Sequence, residues 1–387
     1  MVKNRKFPAL IIGVVLIGVL FLLVLRFFPL FWGVFIDKKI ALTTKSPGNI
    51  NVLLLGIGGG THDGPDLTDT IILANIQLDT KKINLISIPR DLYVKALGSK
   101  INAAYATGQE KGNKGILLAK STVNMVTGVM PDYTLVLDFS GFVKLVDLLG
   151  GIDVQVKNTL DDYAYPVEGK EQELCGVTQD GIASLSAQIA TGSATEFDLF
   201  PCRFTHLHVD SGMQHMNGIL ALEFVRSRHA MGQEGTDFAR SARQQLVIDA
   251  VRNKILSLGT LANPVKVFGM IDLLKQNINT DIPEDQYDDF IKLAQSMRGA
   301  KILSHVLDIG DTQTERYGLL VNPPISSEYA YQWVLAPRIG GDDFSEVHAY
   351  VACILADDVC EVTKTSVVDT KPTIAPTGIP SSADQKK

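Results

Sequence analysis

An apolar run near the start of the chain limits where everything after it can fold. Pro8 to Leu25 reads PALIIGVVLIGVLFLLVL without one charged residue, and about 20 apolar residues are enough to cross a bilayer as a helix. Arg26 is placed to snorkel toward an interface marked by Phe27, Phe28, Phe31 and Trp32. Lys3, Arg5 and Lys6 precede the run, and a basic flank is retained on the cytoplasmic side. A cleaved signal peptide is the alternative, but it has a shorter apolar region, about 7–15 residues, and a small-x-small cleavage site that is poorly matched here. The expectation is a cytoplasmic N-terminus (1–7), a single-pass anchor in the cell membrane (8–36), a linker (37–49) and an extracytoplasmic domain (50–362).

That location bears on the cysteines. Cys175, Cys202, Cys353 and Cys360 all follow the apolar run, and an oxidising compartment favours disulfides. Their grouping in two short segments suggests the pairs Cys175 with Cys202 and Cys353 with Cys360. No CxxC spacing occurs, which argues against a structural zinc site. The net charge of −6 over 387 residues argues against nucleic acid as the main partner.

After the linker, Asn51 to Leu55, Ile71 to Leu78 and Ile83 to Ile88 read as buried strands without clean alternation, as in a sheet covered on both faces. A glycine-rich turn, Gly56, Gly58, Gly59 and Gly60, joins the first two. Helices are expected at Asn102 to Tyr105, Gly115 to Val126 and Gly141 to Leu149, with strands at Tyr133 to Phe139 and Ile152 to Val156. This alternation is an α/β layer pattern, and the fold expected is a three-layer α/β/α domain with a central mixed sheet. Residues 158–210 break the rhythm and read as an insertion or lid. Its acidic residues suit a cation or a solvated loop. His206, His208, His215 and His229 fit no compact ligand spacing. From Thr363 the chain is rich in Thr, Pro and Ser and is expected to be disordered.

The stretch Asn217 to Ile255 carries five arginines. A helix is expected from an N-cap at Thr236 or Asp237, with Leu246, Val247, Ala250, Val251 and Ile255 as its inward stripe. Carried back, the same face holds Arg240, Arg243 and Gln244. Arg226 and Arg228, two apart, share one side of an extended segment. Convergent guanidinium groups suit a phosphate or pyrophosphate. The alternative is an internal salt-bridge network with Asp237, Glu223 and other carboxylates.

This stretch resembles the signature of the LytR-CpsA-Psr family of membrane-anchored phosphotransferases. Further matching stretches stand in the family's order: Leu53 to Ile76, Ile83 to Val94, Lys100 to Gly108, Phe142 to Val156 and Ser211 to Arg228. The resemblance implies transfer of a glycopolymer from a polyprenyl-pyrophosphate carrier to a hydroxyl of cell-wall peptidoglycan. It also implies that Asp69, Arg90, Arg226, Arg228, Arg240 and Gln244 match positions that bind magnesium or pyrophosphate. One departure stands out: the family's G-x-D pattern after the first strand is Gly56-Ile57-Gly58 here. Either Asp63 or Asp66 supplies a second Mg2+ ligand beside Asp69, or fewer carboxylates hold the ion. By chemistry, Arg243 joins the anion-binding set, and Asp91 and Asp237 are candidate general bases. A hydrolase using water as acceptor, or a non-catalytic binding or regulatory ectodomain, would use much the same residues.

Overall fold

The computed structural model describes residues 39–45, 48–60, 64–167, 169–178, 181–261, 263–311, 315–356, 360–364 and 367–369. The expected anchor and cytoplasmic segment, and Asp63, lie outside these residues. Among the described residues no helix is long and apolar enough to cross a membrane. The described residues of the stretch expected as one domain divide into two compact units: Thr44–Leu135 with those from Ala300 onward, and Val136–Gly299 with residues 39–43.

The first unit is built on a mixed sheet. Strands β1 (Asn49–Ile57), β2 (Thr68–Gln77) and β3 (Lys82–Ser87) pair antiparallel in succession. The ribbon of β4 (Tyr93–Val94) and β5 (Ser99–Lys100) follows. With β6 (Tyr133–Asp138) and β12 (Lys301–Val306), five consecutive strands of the sheet run in the order β6-β1-β2-β3-β12, and β12 is parallel to β3. The apolar runs are explained by one cross-strand row: Leu53 faces Leu73, which faces Ile86, and all three are fully buried. Each such burial contributes roughly 1.5–3 kcal/mol. Two residues back along β1 the next row is polar, Asn51, Asn75 and Asn84, with Asn75 Nδ2 donating to Asn51 Oδ1 at 2.9 Å. A buried amide row penalises any slip that would set an amide against a leucine. Helices α1 (Ala103–Glu110) and α2 (Gly115–Thr127) pack together because Gly108 lacks a side chain. A Cβ there would stand 2.6 Å from the Lys114 carbonyl oxygen.

In the second unit, α3 (Phe139–Leu149) is capped by Asp138, whose carboxylate accepts from Gly141 N–H at 2.6 Å. Strands β7 (Ile152–Val156) and β10 (Gly212–Met216) pair antiparallel, as do β8 (Leu160–Pro166) and β9 (Phe204–Val209). Helix α4 (Gly218–Arg226) starts at the cap Asn217, α5 is Asp237–Ile255, and α6 (Pro264–Asn277) leads to the short β11 (Ile278–Thr280). The core joins Val146, Ile152, Leu160, Met216 and Phe224 to Val247 and Ala250 of the expected α5 stripe. Gly218 permits the close approach of α4 to α3, since a Cβ there would meet the Val143 carbonyl oxygen at 2.3 Å.

Two expectations change, those for Arg226 and for the tail, and the expected insertion takes a defined form. Arg226 is the last residue of a helix, not part of an extended segment, because Asn217 caps Leu220 N–H at 2.9 Å and starts α4 upstream. The insertion 158–210 begins and ends as the paired strands β8 and β9, with the disulfide Cys175–Cys202 between them. Within the tail expected to be disordered, Val367–Asp369 pairs with Cys360–Val362, next to the second expected disulfide, Cys353–Cys360.

Candidate functional site

In the sheet unit, backbone hydrogen bonds place four charged side chains together. Asn102 anchors both sides of the group. Its carbonyl accepts from Thr68 N–H at 3.0 Å and Thr68 Oγ1 at 3.2 Å, and its own N–H donates to the Arg90 carbonyl at 3.3 Å. This fixes the start of β2, where Asp69 sits, beside the Pro89-Arg90-Asp91 turn that follows β3. Arg90 Nη1 makes a close charge-assisted hydrogen bond to Asp69 Oδ1. Arg90 Nε lies 3.5 Å from Asp91 Oδ2, and Lys100 Nζ donates to Asp91 Oδ1 at 2.7 Å. Burial alone would lower the Arg90 pKa, but the hydrogen bond and charge of Asp69, with the charge of Asp91, hold it above its ordinary value.

The glycine-rich turn has a structural explanation. Gly59 N–H donates to the Pro65 carbonyl at 2.9 Å and Leu67 N–H to the Gly64 carbonyl at 2.9 Å. Gly64 takes φ +64°, and a Cβ on it would fall 2.6 Å from Leu67 Cδ1. Asp66 on this turn is half-buried, and its side chain forms no hydrogen bond or ion pair among the described residues.

In the other unit, the signature arginines divide by role. Arg243 is 3% exposed and spends its guanidinium on the protein. Nε donates to the Phe224 carbonyl (3.0 Å), Nη2 to the Ser227 carbonyl (2.8 Å), and Nη1 to the Glu234 carbonyl (2.7 Å) and carboxylate (3.0 Å). Burial holds its pKa below the ordinary value against the opposing pull of Glu234. The internal salt-bridge reading therefore describes Arg243, which is taken out of the anion-binding set. Arg226 lays its guanidinium over the Phe139 ring at 4.4 Å. Nearby Glu223 has its pKa raised by burial, with Arg226 acting in the opposite direction. Arg228 is exposed, and Arg240 and Gln244 are half-buried on α5. Asp237 is the first residue of α5, behind Thr236, whose hydroxyl accepts from Ala239 N–H at 3.2 Å.

Two groupings lie beyond the sequence reading, which weighs the acidic residues of 158–210 for a cation and finds no compact ligand spacing in His206 and His208. Asp162 on β8 is fully buried and accepts from Ser227 Oγ (2.7 Å), Ala164 N–H (3.0 Å) and His229 N–H (3.2 Å). The neighbouring Asp161 carbonyl accepts from Met231 N–H at 2.8 Å. Strand β8 and Arg243 thus hold the loop from Ser227 to Glu234 from two sides. On the opposite face of β8, the Asp161 carboxylate meets His206 Nε2 at 3.0 Å and His208 Nδ1 at 2.7 Å. Hydrogen bonds from His208 and then His206 keep Asp161 below the usual carboxylate range, while Asp161 and Asp210 push the His208 imidazole up. No spacing rule along the chain finds these groups, because their partners lie tens of residues away.

Comparison with known proteins shows what the chain is similar to. The chain is 28% identical over 243 residues to Regulatory protein MsrR of Staphylococcus aureus, covering 62% of this chain and 58% of that protein. It thus spans less than two thirds of that relative. It is also 28% identical over 319 residues to the Enterococcus faecalis protein named polyisoprenyl-teichoic acid–peptidoglycan teichoic acid transferase TagU, covering 78% of this chain and 86% of that one. In fold it is similar to B. subtilis TagV, with a TM-score of 0.52 at 21% identity over 80% of this chain and 98% of that one. The LytR_cpsA_psr family model matches residues 36–322, and the chain belongs to that family.

Proposed function

We propose that this chain transfers a phospho-glycopolymer from a polyprenyl-pyrophosphate carrier to a hydroxyl of cell-wall peptidoglycan. The observation that carries the reading is the Asp69, Arg90, Asp91 and Lys100 cluster, held on sheet backbone in a member of this family. The acceptor oxygen attacks the phosphorus that bears the glycan. The bond from that phosphorus to the bridging oxygen breaks, and polyprenyl phosphate leaves. Such a transfer needs a held phosphate and neutralised charge more than covalent help. In this reading Arg226, Arg228, Arg240 and Gln244 contact the pyrophosphate, and Arg90 offers charge to the leaving group. Arg243 positions the loop that carries Arg228.

The donor set suits magnesium, which takes one or two carboxylates and completes its shell with water and phosphate oxygens. Asp69 keeps Oδ2 for it, since the bond from Arg90 uses Oδ1, and Asp66 is the described carboxylate on the adjoining turn. The ion would neutralise charge on the pyrophosphate. Asp91, which is engaged by Lys100 and Arg90, and Asp237 are the two candidates to take the acceptor's proton. Residues 8–36 would anchor the chain beside its lipid substrate, with the N-terminus cytoplasmic and the catalytic part outside.

The test is incubation of the purified full chain with a synthetic polyprenyl-pyrophosphoryl sugar, magnesium and peptidoglycan fragments, following linked product and released polyprenyl phosphate. Asp69→Ala should lower turnover by roughly a hundredfold or more while leaving most lipid binding, since the arginines supply the ground-state contacts. Full turnover in Asp69→Ala would refute the mechanism. A second reading, a binding or regulatory ectodomain, is favoured by the relative named as a regulatory protein. Lipid binding without product under any metal would establish it, and lipid phosphate released without linked product would mark a hydrolase.

A further inference from the structure

We propose that Asp161, His206 and His208 form a binding site for a zinc-class divalent transition-metal ion on the outer face of the β8–β9 pair. The donor atoms of the three side chains all lie within 4.8 Å of one another. They come from two strands at matched register: Asp161 stands opposite His208, and His206 follows two residues along on the same face. A zinc ion with bonds of about 2.0–2.2 Å sets tetrahedral donors about 3.3 Å apart. The Asp161 oxygen is already 3.0 and 2.7 Å from the two imidazole nitrogens, so small side-chain adjustments suffice.

The surroundings resemble those of a ligand set. The Tyr163 ring stacks on His206 with centroids 4.0 Å apart and planes 3° apart, which fixes the orientation of that imidazole. His208 reaches Asp161 through Nδ1, and its other nitrogen, Nε2, is 3.2 Å from Asp210 Oδ1. A second carboxylate on the far nitrogen of a ligating histidine orients the ring and raises its basicity. Two imidazoles with one carboxylate select zinc and its neighbours over magnesium and calcium, which prefer all-oxygen shells. Three protein donors on an exposed face leave the fourth position to water.

The site shares no residue with the proposed pyrophosphate set, but β8 links it to the signature. Asp161 and Asp162 are adjacent, so a metal on one face of β8 steadies the strand whose other face holds Ser227 and His229. The Cys175–Cys202 disulfide closes the segment between the two metal-bearing strands.

The test uses metal-stripped full chain titrated with zinc in excess magnesium, and with cobalt as a spectroscopic probe. Expected are one zinc per chain, a visible cobalt band characteristic of tetrahedral coordination, and a higher Tm with zinc. His206→Ala, His208→Ala and Asp161→Asn should each weaken binding strongly, and Asp210→Asn by about 10–100-fold. Asp69→Ala and His215→Ala should bind zinc as the parent does. No stoichiometric zinc at micromolar free metal, or unchanged affinity in the His206→Ala/His208→Ala double variant, would overturn the proposal. Circular dichroism of each variant confirms that the fold is retained, as exposed side chains predict.

Discussion

Arg243→Met removes the guanidinium that joins α4, α5 and the loop between them. Four hydrogen bonds disappear, and Glu234 keeps a carboxylate that is only 17% exposed in its side chain. Removing one partner of a buried charge pair costs about 3–5 kcal/mol, much of it from the stranded groups. For a cooperative unit of this size, each kcal/mol moves Tm by roughly 2–4 °C, so the variant should melt about 6–20 °C lower. Arg243→Lys keeps the charge but not the fork, because an ammonium with three donors on a flexible stem does not reach four separate acceptor atoms at once. It should recover less than half of the loss. Scanning calorimetry of the full chain measures both variants, and a double-mutant cycle with Glu234→Gln should give a coupling of about 0.5–3 kcal/mol. If Arg243→Met melted with the parent while its affinity for the pyrophosphate lipid collapsed, the guanidinium would be serving substrate, and the structural account would be wrong.

Other perturbations have equally direct consequences. Gly218→Ala drives a methyl into the Val143 carbonyl, which should cost about 1–3 kcal/mol and appear as a lower denaturant midpoint at unchanged m-value. Ser227→Ala leaves buried Asp162 short of its 2.7 Å donor, at about 1–3 kcal/mol; an unaltered Tm would show that the carboxylate is satisfied without it. Cys175→Ser/Cys202→Ser opens a bridge between residues 27 apart, for which loop entropy gives roughly 3–4 kcal/mol, and non-reducing peptide mapping of the parent should recover the Cys175 and Cys202 peptides linked. A cysteine introduced at Ser46 should react in intact cells with an impermeant reagent, and labelling only after lysis would place this part of the chain inside.

What the sequence discloses follows from the range of the forces involved. The apolar runs of β1 and β2 and the stripe on α5 are local patterns, as is the Thr236 cap, and all of them are found where the residue order places them. The pair Arg226 and Arg228 misled, because two-residue spacing suggests a strand while the deciding cap, Asn217, lies nine residues before Arg226. Arg243 had the right face and an ambiguous purpose, since three of its acceptors are backbone carbonyls that carry no sequence label. Asp161 and Asp162 look alike in an acidic segment. Only the pairing with β9 makes one a surface ligand and the other a buried post.

That alternation along β8 also bears on how the strand finds its partner. A slip of one residue against β9 would turn the Asp161 carboxylate inward, where the packing suits Asp162, and lift Asp162 away from Ser227 and His229. Both faces would then lose at once, one by stranding a charge and the other by unlatching the signature loop. The same slip would expose Leu160, which shares the inward face of β8 with Asp162 and is buried with Leu207 and Val209, so the adjacent aspartates add a polar penalty for a misthreaded insertion to the apolar one.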